Sequence, residues 1–205
     1  MNKIHPTAII SPKAKIGVNN TIGAYTIIHD NVEIGNNNLI DSHVSIGSDG
    51  EIRGCKEFNG RVKIGNNNTI KEFVTIQIGE QGYTIIGSDC MLMSKSHLGH
   101  DVKLGNEITI STGVKVGGHV VIGDYTNIGL NSVIHQRLKI DSYCMVGMGS
   151  VVTKNISRFS KVVGNPVRIL GINQYLIDKY KINFTIEDFN NDLSKLDLTY
   201  LKKYL

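Results

Sequence analysis

The chain has 205 residues, of which 40% are hydrophobic and 6% aromatic, and it contains no tryptophan. Its formal net charge of +4 is mild, and no run of Lys and Arg interleaved with aromatic residues occurs, so nucleic acid is not an expected partner. The three cysteines have no metal-binding or redox spacing, and neither a signal peptide nor an 18-residue apolar span is present. We therefore expect a cytoplasmic protein that does not insert into a membrane.

An aliphatic residue recurs at every sixth position, beginning with the first residues of the chain. The pattern forms three runs of 8, 3 and 12 positions, which start at Ile4, Ile64 and Ile86. In an α-helix, residues six apart lie about 240° apart around the axis, whereas in extended chain they all point to one face. Hexapeptide repeats are a signature of the parallel β-helix, in which each turn buries its core against its neighbours. The sequence therefore predicts an all-β solenoid.

The other positions of the repeat predict the shape of each coil. Glycine follows the aliphatic residue in 12 of the 23 hexads, and we expect it to make the turns because it tolerates positive φ. The fourth residue after the aliphatic is usually small or β-branched, as at Ala8, which predicts a narrow interior. Cys90 and Cys144 occupy this position, so we expect buried, unreactive thiols there.

Two segments interrupt the repeat, at about 48–63 and about 78–85. Insertions in a solenoid form loops on one face, which is often the binding face. The alternative, a pair of surface loops without function, stays open at this point.

The repeat ends before Arg158, which breaks the register. We therefore predict two regions, a β-helix over 1–157 that carries both loops and a small α-helical C-terminal region over 158–205. Within the second region, 185–189 has the pattern of a capped helix start, and a last short helix is expected over 197–205.

Four of the seven histidines are predicted to lie along one edge of the solenoid. Coils of 18 residues place residue n over residue n+18, one strand spacing of ~4.8 Å away. On this register His100 lies over Gly118, and other histidines flank the same column. An imidazole that titrates near neutrality can act as a general base, and three imidazoles can hold zinc. The predicted row consists of His97, His100, His119 and His135, the last beside Gln136.

This sequence resembles the hexapeptide acyltransferases, which are homotrimers with a left-handed parallel β-helix. The stretches at 96–101, 117–120 and 134–136 are similar to those of the lipid A UDP-N-acetylglucosamine acyltransferases, and so is the opening at 5–9. The likeness covers about residues 3–174. The left-handed coil is implied by this resemblance, because the pattern alone favours right-handed crossovers.

The resemblance also implies roles for individual residues. His100 matches the catalytic general base, and Asp101, which follows it, is expected to orient it. The backbone N–H of Gly118 matches the donor that stabilises the oxyanion. The residues that match those around the acceptor sugar and the acyl chain are His97, His119, His135, Gln136 and Asn173.

The end of the repeat is more similar to the coenzyme-A-dependent sugar acetyltransferases of the same superfamily. The Arg-Arg pair of the lipid A enzymes' tail helix, a nucleotide-binding element, is absent, and Pro166 stands where some of those enzymes have a histidine. In the acetyltransferases, a Gly-Asn-Pro turn and nearby basic residues lie beside the pantetheine and phosphates. The residues expected to bind the donor on this basis are Gly147, Gly149, Lys154, Gly164, Asn165 and Arg168.

We therefore expect an acyltransferase that moves an acyl group, with acetyl from acetyl-CoA favoured, to an amino or hydroxyl group of a nucleotide-activated sugar in cell-surface glycan biosynthesis. The alternative is 3-hydroxyacyl transfer from acyl carrier protein to UDP-N-acetylglucosamine in the biosynthesis of lipid A, the anchor of lipopolysaccharide. A minor alternative is a zinc lyase like the γ-class carbonic anhydrases, although those pair two close ligands as His-x4-His, whereas this chain has His97-x2-His100. We expect a homotrimer with no tightly bound cofactor and no metal.

Overall fold

The computed structural model of the chain describes residues 1–194, with the side chains of residues 1–191. It is a parallel β-helix of about nine turns, as the hexad pattern predicts, followed by two short helices. The helix expected over 197–205 lies outside the described residues. Neither helix in the described part has the length and hydrophobicity that crossing a membrane requires.

Each turn of the coil contributes one short strand to each of three sheets. Sheet A contains β1 (Lys3–Ile4), β4 (Thr21–Ile22), β7 (Leu39–Ile40), β10 (Thr69–Ile70), β13 (Met91–Leu92), β16 (Thr109–Ile110), β19 (Asn127–Ile128), β22 (Met145–Val146), β24 (Ser160–Val163) and β25 (Arg168–Ile172). Sheet B contains β2 (Ile9–Ile10), β5 (Ile27–Ile28), β8 (Ser45–Ser48), β11 (Thr75–Gln77), β14 (His97–Leu98), β17 (Lys115–Val116), β20 (Val133–Ile134) and β23 (Val151–Val152). Sheet C contains β3 (Lys15–Ile16), β6 (Val32–Ile34), β9 (Arg61–Ile64), β12 (Tyr83–Ile86), β15 (Lys103–Leu104), β18 (Val121–Ile122) and β21 (Lys139–Ile140). The helices are α1 (Gln174–Tyr180) and α2 (Ile186–Ser194).

The strand register gives the length of each coil. His97 pairs with Lys115, three hexads further along the chain, as the uninterrupted repeat predicts. Where the repeat is broken the coils are longer, because Ser45 pairs with Thr75 and Thr75 pairs with His97. The first insertion therefore lengthens its coil by two hexads and the second lengthens the next coil by less than one, and the pairing resumes beyond each of them.

The repeating aliphatic side chains form one continuous core that is buried from Ile22 to Val152. The small position four residues later is buried as well, and it includes both cysteines expected there. Burial raises the pKa of Cys90 to about 11 and that of Cys144 to about 12. Both thiols therefore stay protonated at neutral pH, which confirms that they are unreactive core residues.

The turns are not made by the glycines to which the sequence analysis assigned them. Of the twelve glycines that follow an aliphatic residue, only Gly47 has a positive φ. The left-handed conformation falls two residues later instead, for example at Asp101 with φ 58° and His119 with φ 60°. Glycine is needed because the next coil passes so close, and a Cβ on Gly117 would lie only 2.7 Å from the backbone nitrogen of Gln136.

A column of buried asparagines fills the small position along part of one edge. The Oδ1 of Asn20 accepts from the backbone N–H of Asn38 at 2.8 Å, and the Oδ1 of Asn38 accepts from that of Asn68 at 2.9 Å. The Oδ1 of Asn68 accepts from the N–H of Cys90 at 2.8 Å and so continues the column. The hexad pattern does not reveal this column, because only small and branched side chains are expected at this position.

The C-terminal region begins with strands rather than helix. β24 pairs parallel with β22, and β25 pairs antiparallel with β24, so this hairpin extends sheet A. The helical prediction for this stretch is wrong because the exposed edge of sheet A offers backbone partners that local sequence pattern does not reveal. The capped helix start is confirmed, since the Thr185 hydroxyl accepts from the N–H of Asp188 while the Asp188 carboxylate accepts from the N–H of Thr185.

Candidate active site

His100 and Asp101 form a hydrogen-bonded pair in the turn between β14 and β15. We call the successive turns at this edge, 99–102, 117–120 and 135–138, the B–C corner. The Nδ1 of His100 lies 3.0 Å from the Oδ2 of Asp101, and each side chain is only 12% exposed. Neighbouring residues of a strand point to opposite faces, but the left-handed φ of Asp101 turns its carboxylate back onto the preceding imidazole. The expectation that Asp101 orients His100 thus has a geometric basis.

The carboxylate of Asp101 is itself held by the residues of the second insertion. Its Oδ2 accepts from the backbone N–H of Glu80 at 2.9 Å, and its own N–H donates to the Oγ1 of Thr84 at 2.9 Å. Burial alone would raise the pKa of Asp101, but the hydrogen bonds from Glu80 and His100, and the charges of His119 and His100, outweigh it and lower the pKa. An ionised Asp101 accepts a hydrogen bond from the Nδ1–H of His100. The lone pair of the neutral imidazole is therefore on Nε2.

The imidazole of His100 lies over Gly118 in the next coil. A Cβ on Gly118 would be 2.4 Å from the Nε2 of His100, so no other residue leaves room for the ring. The N–H of Gly118 has no hydrogen-bond acceptor among residues 1–194.

Both insertions pack against this pair, which confirms that they lie on one side of the solenoid. A Cβ on Gly50 of the first insertion would lie 3.0 Å from the Cβ of His100 and 2.7 Å from the Phe58 ring. A Cβ on Gly79 of the second insertion would lie 2.8 Å from the Oδ1 of Asp101. The loops therefore shield the pair from water, which strengthens the electrostatic interactions within it.

His119 meets His100 from the next coil. The two rings are perpendicular, at 89°, with centroids 4.8 Å apart. Burial lowers the pKa of His119, and the charge of Arg137 lowers it further. The Nε2 of His119 lies 4.0 Å from the Oδ2 of Asp101 and, although buried, has no hydrogen-bond partner in the described part of the chain.

His97 lies on the outer face of sheet B rather than in this pair. Its Nδ1 is 2.8 Å from the Oγ1 of Thr75 on the adjacent strand. Burial lowers its pKa, the charge of Glu51 opposes the shift, and the charge of Lys115 adds to it. Lys115, directly beside His97 in the sheet, is a residue that the sequence analysis did not consider.

His135 and Gln136 lie two coils from His100 on the same corner, and both are exposed. The Nδ1 of His135 contacts the backbone oxygen of Gln136 at 3.1 Å, and no described contact joins either residue to His100 or His119. Of the four histidines in the predicted row, only His100 and His119 are in contact with each other. His97 and His135 make separate contacts. The four histidines occupy four different positions of the hexad, so agreement within one residue in number does not place their side chains together.

The residues assigned to the donor lie at two edges. Lys154 lies on the line of the B–C corner, one coil beyond Gln136. The remaining donor residues lie at the edge between sheets A and B. There the N–H of Gly149 donates to the backbone oxygen of Leu130, and the N–H of Val151 donates to that of Gly164 in the turn after β24. That second group is Gly147, Gly149, Gly164, Asn165 and Arg168.

Asn173 lies at a third edge, between sheets C and A, at the start of α1. It is buried, and its Nδ2 donates to the backbone oxygen of Tyr143 at 2.9 Å. It lines a groove of about 340 Å³ together with Tyr125 and Tyr180. Within one chain Asn173 therefore does not meet His100.

The described residues offer one group whose ligand atoms are close enough to hold a metal ion, and it consists of His100, Asp101 and His119. The three-histidine site of a γ-class carbonic anhydrase is not formed within a single described chain, because His97 and His135 have the separate contacts given above.

Comparison with known proteins gives a consistent result. A curated acyl-[acyl-carrier-protein]–UDP-N-acetylglucosamine O-acyltransferase of Burkholderia orbicola is 38% identical over 109 residues, which is 52% of this chain and 42% of that protein. The match thus spans less than half the length of the curated relatives. No protein-family model matches the sequence.

Solved structures match over nearly the whole chain. LpxA from Acinetobacter baumannii superimposes with a TM-score of 0.78 at 33% identity, covering 94% of this chain and 90% of that one. The UDP-N-acetylglucosamine acyltransferase from Campylobacter jejuni also gives a TM-score of 0.78, at 28% identity, covering 92% and 81%. The fold is the left-handed parallel β-helix that the resemblance implies. With this fold, this identity and this coverage, the chain belongs to the hexapeptide-repeat family of UDP-N-acetylglucosamine acyltransferases.

Proposed function

We propose that this chain transfers an acyl group from the thioester of acyl carrier protein to a hydroxyl group of UDP-N-acetylglucosamine in lipid A biosynthesis, with His100 as the general base. The observation that carries the proposal is the His100–Asp101 pair over Gly118. One nitrogen of the imidazole is held by a carboxylate, and the other is directed toward the coil that carries an unused N–H.

The mechanism follows from these positions. The Nε2 of His100 accepts the proton of the acceptor hydroxyl, and the oxygen attacks the thioester carbonyl. The N–H of Gly118 stabilises the tetrahedral oxyanion, and the carbon–sulfur bond breaks as that intermediate collapses. The departing thiolate takes the proton from the imidazolium of His100. A thioester is already activated, so the steps need neither a metal nor a covalent enzyme intermediate.

Exposed apolar side chains on sheet B and at its edge with sheet A support a long acyl chain as the group that is transferred. Val133 lies on the outer face of sheet B, two strands from His97, or about 10 Å. Leu130 and Met148 are exposed at the adjoining edge, and Met148 is 75% exposed. An acetyl group would leave this surface uncovered, whereas a hydrocarbon chain would bury it and gain about 25 cal/mol per Å².

This proposal differs from the donor favoured in the sequence analysis, which was acetyl-CoA. The curated relatives are named for acyl carrier protein and UDP-N-acetylglucosamine, and they support the alternative instead. The likeness of 147–154 and 164–168 to acetyltransferases is compatible with either donor, because pantetheine carries the thioester in both.

The proposal includes a homotrimer. Sheet C presents Lys15, Glu33, Lys63, Lys103 and Lys139 on its outer face. The outer faces of sheets A and B are largely neutral and apolar, which favours subunit contacts there. An acceptor held by both His100 and Asn173 requires two subunits, because these residues lie at different edges of one chain. The three free cysteines support a reaction in the cytoplasm.

The test is an acyl-transfer assay of the purified chain with UDP-N-acetylglucosamine. We expect transfer from 3-hydroxyacyl-[acyl carrier protein] and at least ~10²-fold lower kcat/KM with acetyl-CoA, since binding energy from the acyl chain is lost. His100→Ala is expected to lower the rate by ~10²–10⁴-fold while the β-helix stays folded. His5→Ala, an exposed histidine of the first coil, is the control.

Full activity of His100→Ala would refute the assignment of the base. Equal use of acetyl-CoA would refute the assignment of the donor and favour acetyl-CoA, as the sequence predicts.

A further inference from the structure

We propose that His100, Asp101 and His119 also form a binding site for Zn²⁺, and that the ion inhibits the enzyme when it binds there. One imidazole nitrogen from each histidine and one carboxylate oxygen lie within 4.8 Å of one another. These are the ligand types that zinc prefers, and three protein ligands leave a fourth position for water.

The distances between the ligand atoms are close to those that zinc imposes. Bonds of about 2.0–2.2 Å in tetrahedral geometry place ligand atoms roughly 3.4 Å apart. Here the Nδ1 of His100 is 3.0 Å from the Oδ2 of Asp101, and the Nε2 of His119 is 4.0 Å from the same oxygen. The two imidazole nitrogens lie within 4.8 Å of each other, so side-chain shifts of about 1 Å would complete the site.

A second observation points to a missing ligand. The Nε2 of His119 is buried without a hydrogen-bond partner in the described chain, which is costly for a polar atom. The neighbouring carboxylate of Asp101, at 4.0 Å, is beyond hydrogen-bonding distance. A cation between the nitrogen and this carboxylate would give the nitrogen a partner.

The surroundings hold the ligands in place. The N–H of Glu80 donates to Asp101 at 2.9 Å, and the glycines of the second insertion pack against the other carboxylate oxygen. Such supporting contacts orient the ligands of metal sites and contribute to affinity. Arg137, whose charge acts on His119, opposes a cation here, so its removal should tighten binding.

Inhibition follows from the tautomer of His100. When Nδ1 binds zinc, the ring proton must reside on Nε2, and that nitrogen can no longer accept the proton of the acceptor hydroxyl. The same ion binds the carboxylate of Asp101, which then no longer orients His100. This inhibitory consequence rests on the proposed function, whereas binding of zinc does not.

Binding is tested on metal-free protein without substrates, by calorimetry with Zn²⁺ and by the visible absorption of Co²⁺ in the same site. We expect one ion per chain, and affinity reduced more than ~10-fold in His119→Gln and in Asp101→Asn. His135→Gln, which alters an exposed histidine of the same corner, should bind as the unaltered chain does, and Arg137→Gln should bind more tightly. Circular dichroism establishes that each variant is folded.

Inhibition is tested by titrating Zn²⁺ into the acyl-transfer assay and then adding EDTA. We expect the half-inhibitory concentration to equal the dissociation constant and the chelator to restore the rate. Unchanged binding in His119→Gln, or equal loss in His135→Gln, overturns the site. Binding without inhibition overturns its effect on catalysis. Absence of transfer before any zinc is added would count against the proposed function and leave the binding measurement to decide the site.

Discussion

At the scale of single residues, the backbone conformation of the turn explains how the proposed base and the carboxylate proposed to orient it can be neighbours in sequence. His100 does not have a positive φ, whereas Asp101 has φ 58°. The same left-handed position in the next coil brings His119 to the other side of the carboxylate. The arrangement also requires glycine at position 118, because only a residue without a side chain leaves space for the imidazole of His100.

We predict that Gly118→Ala displaces the His100 ring and lowers kcat/KM by about 10²-fold, since a misplacement of about 1 Å can have that effect. The added Cβ would otherwise lie 2.4 Å from Nε2. Steady-state kinetics of the two single variants and of Gly118→Ala combined with His100→Ala form a double-mutant cycle. The double variant should be no slower than His100→Ala alone, and fully additive losses would show that Gly118 acts independently of the ring.

At the scale of elements, each coil is stabilised by its neighbours through both apolar and polar columns. The asparagine column contributes side-chain acceptors to backbone N–H groups that the parallel pairing leaves unused. Asn38 is hydrogen-bonded to Asn20 in the preceding coil and to Asn68 in the following coil. It therefore links two coils that are not consecutive along the chain. The column lies in the N-terminal half, where the first insertion lengthens the coils.

We predict that Asn38→Ala destabilises the β-helix by about 1–3 kcal/mol, because it leaves the N–H of Asn68 buried without an acceptor. Urea-induced unfolding, followed by circular dichroism, measures the change. Asn59→Ala, at an exposed loop position, is the matched control and should stay within about 0.5 kcal/mol. Equal stability of the two variants would mean that the column is not a source of stability.

At the scale of the whole molecule, both insertions fold onto the same side of the solenoid and pack against His100 and Asp101. Burial lowers the pKa of both His97 and His119, so the native chain disfavours their protonated forms. The unfolded chain, in which a histidine has its usual pKa of about 6.5, takes up these protons first as the pH falls. The stability that the neutral rings contribute is therefore present above about pH 6.5 and is lost as the pH falls below it.

We predict that the thermal unfolding midpoint falls as the pH is lowered from 8 toward about 5.5, and that His97→Gln reduces the fall. The range stays above the region in which Asp101, whose pKa is lowered in the native state, would be protonated. Scanning calorimetry at fixed ionic strength is the measurement, with His5→Gln as the control. An identical pH dependence in His97→Gln would show that its burial does not affect stability.

Much of the site could be predicted from the sequence because the coil length is regular. A period of three hexads places His100 above Gly118, and the pairing of His97 with Lys115 confirms that period. The period does not predict the direction in which a side chain points at a turn. His135 was expected in the row but lies exposed, because it directly follows the aliphatic residue while His119 occupies the left-handed position.

The hexad pattern by itself determined the solenoid, its coil length and its core, because a repeated strand can bury its aliphatic face only against copies of itself. The tertiary structure decided the rest: the carboxylate turned onto His100, the His119 nitrogen without a hydrogen-bond partner among the described residues, the close passage of coils at Gly117 and Gly118, and the hairpin that extends sheet A. These features depend on the dihedral angles of the turns and on contacts between residues that are far apart along the chain. A local sequence pattern encodes neither of them.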